Sequence, residues 1–153
     1  MKTPRAAVLV IACGLLLAAG AYAEYPKCID DVAAHLEFMG YTITRSEKYV
    51  TARKDGEAVI TIRLHKGNML FSAYYNLDKT QGTNEELLEA VNGLNVNAAA
   101  CRYYVDSEGD LLIEMLIPDT YDRVLFGSIF ALWQKESRET VADEANPIYP
   151  FVL

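Results

Sequence analysis

Along residues 26–40 the apolar side chains Ile29, Val32, Leu36 and Met39 recur at helical spacing and form one stripe. Pro26 suits a first helical position, Asp30 and Asp31 favour the positive end of a helix, and Gly40 fits the left-handed cap that closes one. The period then falls to two. Residues 41–53 hold one or two short strand pieces. Across 58–65, Ala58, Ile60, Ile62 and Leu64 face one way and Thr61, Arg63 and His65 the other; across 69–77, Met69, Phe71, Ala73, Tyr75 and Leu77 share a face. Lys54-Asp55-Gly56 and Lys66-Gly67-Asn68 separate these runs as hairpin turns, so the middle of the chain reads as an antiparallel meander with one buried face.

Helical spacing returns after Thr83, which with Glu86 three residues on makes a capping-box pattern. Leu87, Leu88, Val91 and Leu94 supply that helix's apolar face, and it fades near Asn95-Val96-Asn97. Residues 101–105 and 111–117 read as two strands around the turn Ser107-Glu108-Gly109-Asp110, with Pro118 stopping the second. Residues 120–141 read as a third helix with Val124, Leu125, Ile129, Leu132 and Trp133 apolar, and 146–153 as an extended tail with two prolines. The pattern predicts a single α+β domain over 24–145: an antiparallel five-stranded sheet with helices packed on one face, in the order α-β-β-β-α-β-β-α.

The first 23 residues follow a different pattern. Lys2 and Arg5 precede an apolar run over 6–20, and Ala21-Tyr22-Ala23 places small side chains where a signal peptidase needs them. The run is about 15 residues, short of the roughly 20 that span a bilayer, so it reads as a secretory signal peptide cleaved after Ala23. Val10-Ile11-Ala12-Cys13-Gly14 loosely resembles a lipobox, in which Cys13 would instead be lipidated. Either way the expected location is periplasmic or secreted, with no membrane span in the mature chain.

Cleavage leaves 12 Lys and Arg against 21 Asp and Glu, a formal net charge of −9. That balance disfavours nucleic acid and anionic membrane surfaces, both of which need a basic footprint. Two cysteines remain, Cys28 and Cys101; in an oxidising compartment they could form a disulfide, and otherwise they are two separate buried thiols.

The stretch Glu86-Leu87-Leu88-Glu89-Ala90-Val91-Asn92-Gly93-Leu94-Asn95 and the strand–turn–strand Tyr103-Tyr104-Val105-Asp106-Ser107-Glu108-Gly109-Asp110-Leu111 resemble the YbjN family, over roughly residues 30–141. The resemblance implies a fold like that of class I type III secretion chaperones, homodimers or peptide-segment binding, and no catalytic residues. The signal peptide sets this chain apart from the family's better-known cytoplasmic members.

Residue chemistry points the same way. His35 and His65 are the only histidines and neither has a metal-site spacing. There is no G-x-S-x-G elbow and no glycine-rich phosphate cradle. Asp106, Glu108 and Asp110 alternate, but Gly109 is misplaced for a calcium loop and an apolar strand follows. No catalytic group, metal or cofactor is indicated. Asn92 and Asn95, at i and i+3, are candidates for a helix cap or a polar recognition spot. Alternation turns Tyr74 and Tyr104 to the outer face of the sheet together with Leu112 and Leu116, an interaction face unless the third helix or the tail covers it. The expected function is a non-enzymatic binding module that docks a protein segment or a second copy of itself. The alternatives are a binder of a small apolar or lipid ligand, which needs an enclosed apolar cavity, and a small hydrolase.

Overall fold

A computed structural model describes residues 25–153. The leader and lipobox readings fall on residues 1–24 and lie outside the described residues. Helix α1 (Ile29–Phe38) begins three residues after Pro26, because the Pro26 carbonyl accepts the Ile29 N–H at 3.2 Å in a preceding turn. The Asp119 carboxylate pins that turn by accepting the N–H groups of Lys27 and Cys28 at 2.9 and 3.2 Å. Gly40, at φ 89°, closes the helix in a conformation that favours glycine.

Six strands follow the order β1-β2-β3-β4-β6-β5, all antiparallel: β1 (Thr42–Arg45), β2 (Val50–Arg53), β3 (Ile60–His65), β4 (Asn68–Tyr75), β5 (Arg102–Val105) and β6 (Leu111–Pro118). The expected five-stranded sheet is therefore six-stranded, and the element order is α-β-β-β-β-α-β-β-α. Residues 41–53 form a hairpin of their own, closed where the Ser46 N–H meets the Tyr49 carbonyl at 2.9 Å. The β3–β4 turn is Lys66-Gly67, both with positive φ, as a tight hairpin that follows the sheet's twist requires.

Helix α2 (Asn84–Asn97) carries both halves of the capping box between Thr83 and Glu86. Helix α3 (Arg123–Gln134) passes into a π-helical turn (Lys135–Glu139) and a last α-turn (Thr140–Ala142), so residues 120–141 are not one regular helix. The tail is not simply extended: Tyr149–Phe151 is a 3-10 turn, and Val152 bridges Leu77.

The helices share one core with one face of the sheet. Val32 and Leu36 of α1, Leu87, Val91 and Leu94 of α2, and Phe126, Phe130 and Trp133 of α3 are buried with Ile62, Met69, Phe71 and Ile113. The indole of Trp133 meets the Phe71 ring edge-to-face at 5.8 Å, an arrangement that favours aromatic pairs beyond simple burial. Of the expected stripe of α3, Trp133 is buried and Ile129 and Leu132 pack against the core, but Phe126 and Phe130, not Val124 and Leu125, complete the buried face. Val124 is 78% exposed and Leu125 is exposed too. This helix is apolar nearly all round, and the three large aromatics take the core.

The edge strand β5 is closed by side chains. The Asn95 carboxamide donates to the Tyr103 carbonyl at 2.8 Å and accepts the Tyr103 N–H at 2.9 Å, as a neighbouring strand would. Glu136 accepts the N–H groups of Ala99, Ala100 and Cys101 at 2.5, 3.2 and 2.6 Å. The π-turn leaves the carbonyls of Glu136 and Ser137 to accept the hydroxyls of Tyr103 and Tyr75 at 2.9 and 2.7 Å.

The Cys28–Cys101 disulfide weighed from the sequence is not formed. Both are free, buried thiols with partners of their own: Cys28 against Met69 and Asp119, Cys101 beside Glu136. Burial and the Asp119 carboxylate push the Cys28 thiol up to about 12, and burial and Glu136 likewise raise that of Cys101. Neither thiol should react with Ellman's reagent at pH 8 in the folded protein, and both should react in denaturant.

Burial alone would raise the Glu136 carboxyl, but its three backbone donors outweigh it and hold the group below the ordinary carboxylate range. Its folded value is depressed, so its contribution is fully present above the unfolded value and is lost as pH falls through the folded one. Glu136→Ala strips three N–H groups of their acceptor and should cost about 3 kcal/mol. Denaturant unfolding across acid pH should show a shallower loss of stability in this variant than in the parent.

Candidate interaction face

With every helix of the described residues on one side, the other face of the sheet is left among those residues to its own side chains. The register sets them in rows. Tyr74, Leu112 and Tyr104 lie opposite one another on β4, β6 and β5. Arg63, Leu70 and Leu116 make a second row, and Thr61, Ser72, Glu114 and Arg102 the row between. Neither α3 nor the tail covers this surface: Tyr74 is 56% and Leu116 54% exposed, while Tyr104 and Leu112 are half-buried among their neighbours.

At the centre sits a carboxylate. Glu114 points to the open side yet is only 2% exposed. Arg102 Nε donates to Glu114 Oε2 at 2.9 Å, and its Nη2 reaches the same oxygen. Arg63 Nη2 lies 3.5 Å from Oε1, and the Ser72 hydroxyl donates to Oε1 at 3.5 Å. The Arg102 guanidinium also lies over the Tyr104 ring, 5.6 Å from its centroid. Two arginines thus lie flat over the glutamate and cover it with their stems. This network escaped the sequence reading. Its signal was a lone carboxylate at the centre of the apolar strand Leu111–Pro118.

Next to the network, a pocket of about 260 Å³ opens between the β3–β4 turn and the start of β5. Leu70 and Leu116 give it apolar walls, and His65, Lys66, Arg102 and the arginine-paired Glu114 its polar side.

The other sequence candidates lie elsewhere. Asn95 is engaged at the β5 edge, and Asn92 is exposed on α2. The imidazole of His35 shares a 2.9 Å hydrogen bond with the Tyr121 hydroxyl and packs against Phe126, away from His65. Among the described residues no three His, Cys, Asp or Glu side chains come together to hold a metal, and no helix is long and apolar enough to cross a membrane. The space between α3 and the sheet at Tyr75 and Trp133 is about 10 Å³, near the lower limit for one water, so there is no lipid-sized cavity at that point. An open groove of about 580 Å³ runs between α2 and the tail. A second apolar surface also went unread: Phe38, 80% exposed, with Val124 and Leu125 on the helix side, where Arg123 stacks over the Phe38 ring.

The family model for YbjN, described as "Putative bacterial sensory transduction regulator", matches residues 29–135. The chain belongs to the YbjN family. Among solved structures it is similar to YbjN from E. coli, with a TM-score of 0.62 at 17% identity over 82% of this chain and 95% of that one. It is also similar to a chain of the heterodimeric ExoU-SpcU complex from the type III secretion system of Pseudomonas aeruginosa, with a TM-score of 0.56 at 14% identity over 77% and 95%. At these identities the two likenesses establish a shared fold. No curated protein matches the sequence. In this YbjN domain the matched region contains the whole sheet and all three long helices except the first few residues before α1.

The glutamate network has a testable asymmetry. Glu114→Leu replaces a buried charge by an apolar side chain of similar size and should change stability by no more than about 1 kcal/mol. Removing both charges but keeping the covering stems, Arg63→Met with Arg102→Met, leaves the carboxylate covered without its ion-pair partners and should cost more, about 3 kcal/mol. Urea unfolding of the two variants decides it.

Proposed function

We propose that this YbjN domain is a non-enzymatic binding module that docks a protein segment, or a second copy of itself, on the uncovered face of its sheet. The observation that carries the reading is the row Tyr74, Leu112 and Tyr104 with Leu116 beside it: aromatic and aliphatic side chains held on rigid strands and left open to solvent. Tyrosine gives a large contact area at low entropic cost, and a sheet presents it without rearrangement. The shared fold with a chain of a heterodimeric secretion complex supports a protein partner. The half-buried His35 is engaged with the Tyr121 hydroxyl, and this and the raised values of both thiols count against a nucleophile–base pair.

The proposed location is outside the cytoplasm, supported by the basic, apolar and small-residue order of residues 1–23. Mass spectrometry of the protein recovered from the cell envelope or medium should find an N-terminus at Glu24; a form retaining Met1 in the cytoplasm would overturn export.

In-cell crosslinking of the tagged protein, followed by mass spectrometry, tests the binding face. A recurrent partner should disappear with Tyr104→Ala and with Leu112→Asp while circular dichroism and melting remain close to the parent. Capture that survives both variants would overturn the assignment of this face.

A further inference from the structure

The sheet's open face has the opposite charge to the rest of the protein. The chain carries a formal net charge of −7. Yet the charged residues at outward positions of the six strands are Arg53, Arg63 and Arg102 against the single carboxylate of Glu114. That carboxylate is already neutralised: Arg102 takes one oxygen through two nitrogens, and Arg63 and Ser72 share the other. The surplus is positive, and it is concentrated at one end. Lys66 is exposed at the turn beside the pocket of about 260 Å³ and has no ion-pair partner among the described residues. Arg102, with its side chain 64% exposed, lines the same pocket, and so does His65. Leu70 and Leu116 form its apolar walls.

We propose that this pocket receives a carboxylate carried next to an aliphatic or aromatic side chain, so that the sheet face docks an acidic–apolar segment of a partner protein. The inference rests on the reading of the sheet as the binding face and specifies what that face selects. Three cationic or hydrogen-bond-donating side chains converge where an apolar wall allows a neighbouring side chain to be buried, which is the combination that fixes a carboxylate in one orientation. Glu114 also lines the pocket, but it does not repel the incoming group at full strength, because Arg102 pairs with one of its oxygens and Arg63 with the other. The same charges act against a symmetric dimer through this face. Two copies paired about a two-fold axis through this patch would set Arg63, Arg102 and Lys66 against their own copies, and like charges brought together at an interface select against that pairing.

The test uses the purified protein and two small probes that differ only in charge, N-acetyl-leucine and N-acetyl-leucinamide. In amide-resolved NMR titrations, N-acetyl-leucine should give saturable shifts centred on Lys66, Gly67 and Arg102. The neutral amide should bind about tenfold more weakly, the effect of losing a charge-assisted hydrogen bond. Lys66→Glu, at an exposed turn position, should weaken the carboxylate probe by a similar factor and leave the fold unchanged. Equal shifts from both probes, shifts centred elsewhere, or none would overturn the carboxylate site. Partner capture separates this failure from failure of the face itself. A crosslinked partner lost with Leu112→Asp but kept at parental yield with Lys66→Glu leaves the face standing and removes the carboxylate pocket. A partner kept with both variants removes the face.

Discussion

The fold depends on how its last strand is held. Strand β5 has one strand neighbour, β6, and its other side would expose backbone donors and acceptors. Asn95 from α2 fills that side at Tyr103, and Glu136 from the π-turn gathers the three N–H groups just before the strand. Two helices distant in sequence are thereby fastened to one strand by side-chain polar groups, not by apolar packing alone. The π-turn matters to this: a regular helix would keep its carbonyls within its own ladder, whereas here those of Glu136 and Ser137 accept the hydroxyls of Tyr103 and Tyr75. The β5–β6 hairpin is therefore fixed in position, and with it Arg102, Tyr104, Leu112, Glu114 and Leu116.

One-sided packing explains the rest. The apolar residues of three helices go to one face of the sheet, and among the described residues no layer covers the opposite face. A glutamate in the middle of such a face would ordinarily be solvated. Here Arg63 and Arg102 reach across from β3 and β5, pair with it and cover it with their stems. The result is a flat, partly apolar surface whose centre is pre-ordered by hydrogen bonds. Such a surface loses little conformational entropy when something is laid on it.

How much of this was legible depended on whether the sequence pattern had a single physical cause. The alternation in Ile60–His65 and Asn68–Tyr75 could only come from a strand with one buried face, and its phase correctly turned Tyr74 outward. The Thr83–Glu86 box has a local cause and formed as read. In contrast, β1 and β2 are four residues each and largely polar, so their separation into two strands depended on pairing that no local pattern carries. The phase of α3 could not be read because nearly every position is apolar; only the competition among Val124, Leu125, Phe126, Phe130 and Trp133 for one core decided it, and the largest rings won. Asn95 stood out in a helix, but its partner Tyr103 is brought to it by the turn of the chain. Glu114 was visible as an odd carboxylate in an apolar strand, and its meaning depended on Arg63, which is 51 residues earlier and meets it only through the β3–β4–β6 register.

The closed edge also limits how a partner can dock. Adding a strand beside β5 would require breaking both Asn95 hydrogen bonds to Tyr103, and the Glu136 clamp stands next to them. At the opposite edge, β1 has no strand neighbour on its outer side among the described residues, but it is only four residues long, and Arg45 crosses from it to Asp30 of α1. Short edge strands with charged side chains are the usual means by which proteins discourage strand addition. Backbone pairing is thus disfavoured at one edge by occupied hydrogen bonds and at the other by length and charge. The uncovered face, with its aromatic row and its surplus of arginine, is left as the surface where side-chain chemistry rather than backbone pairing determines what binds.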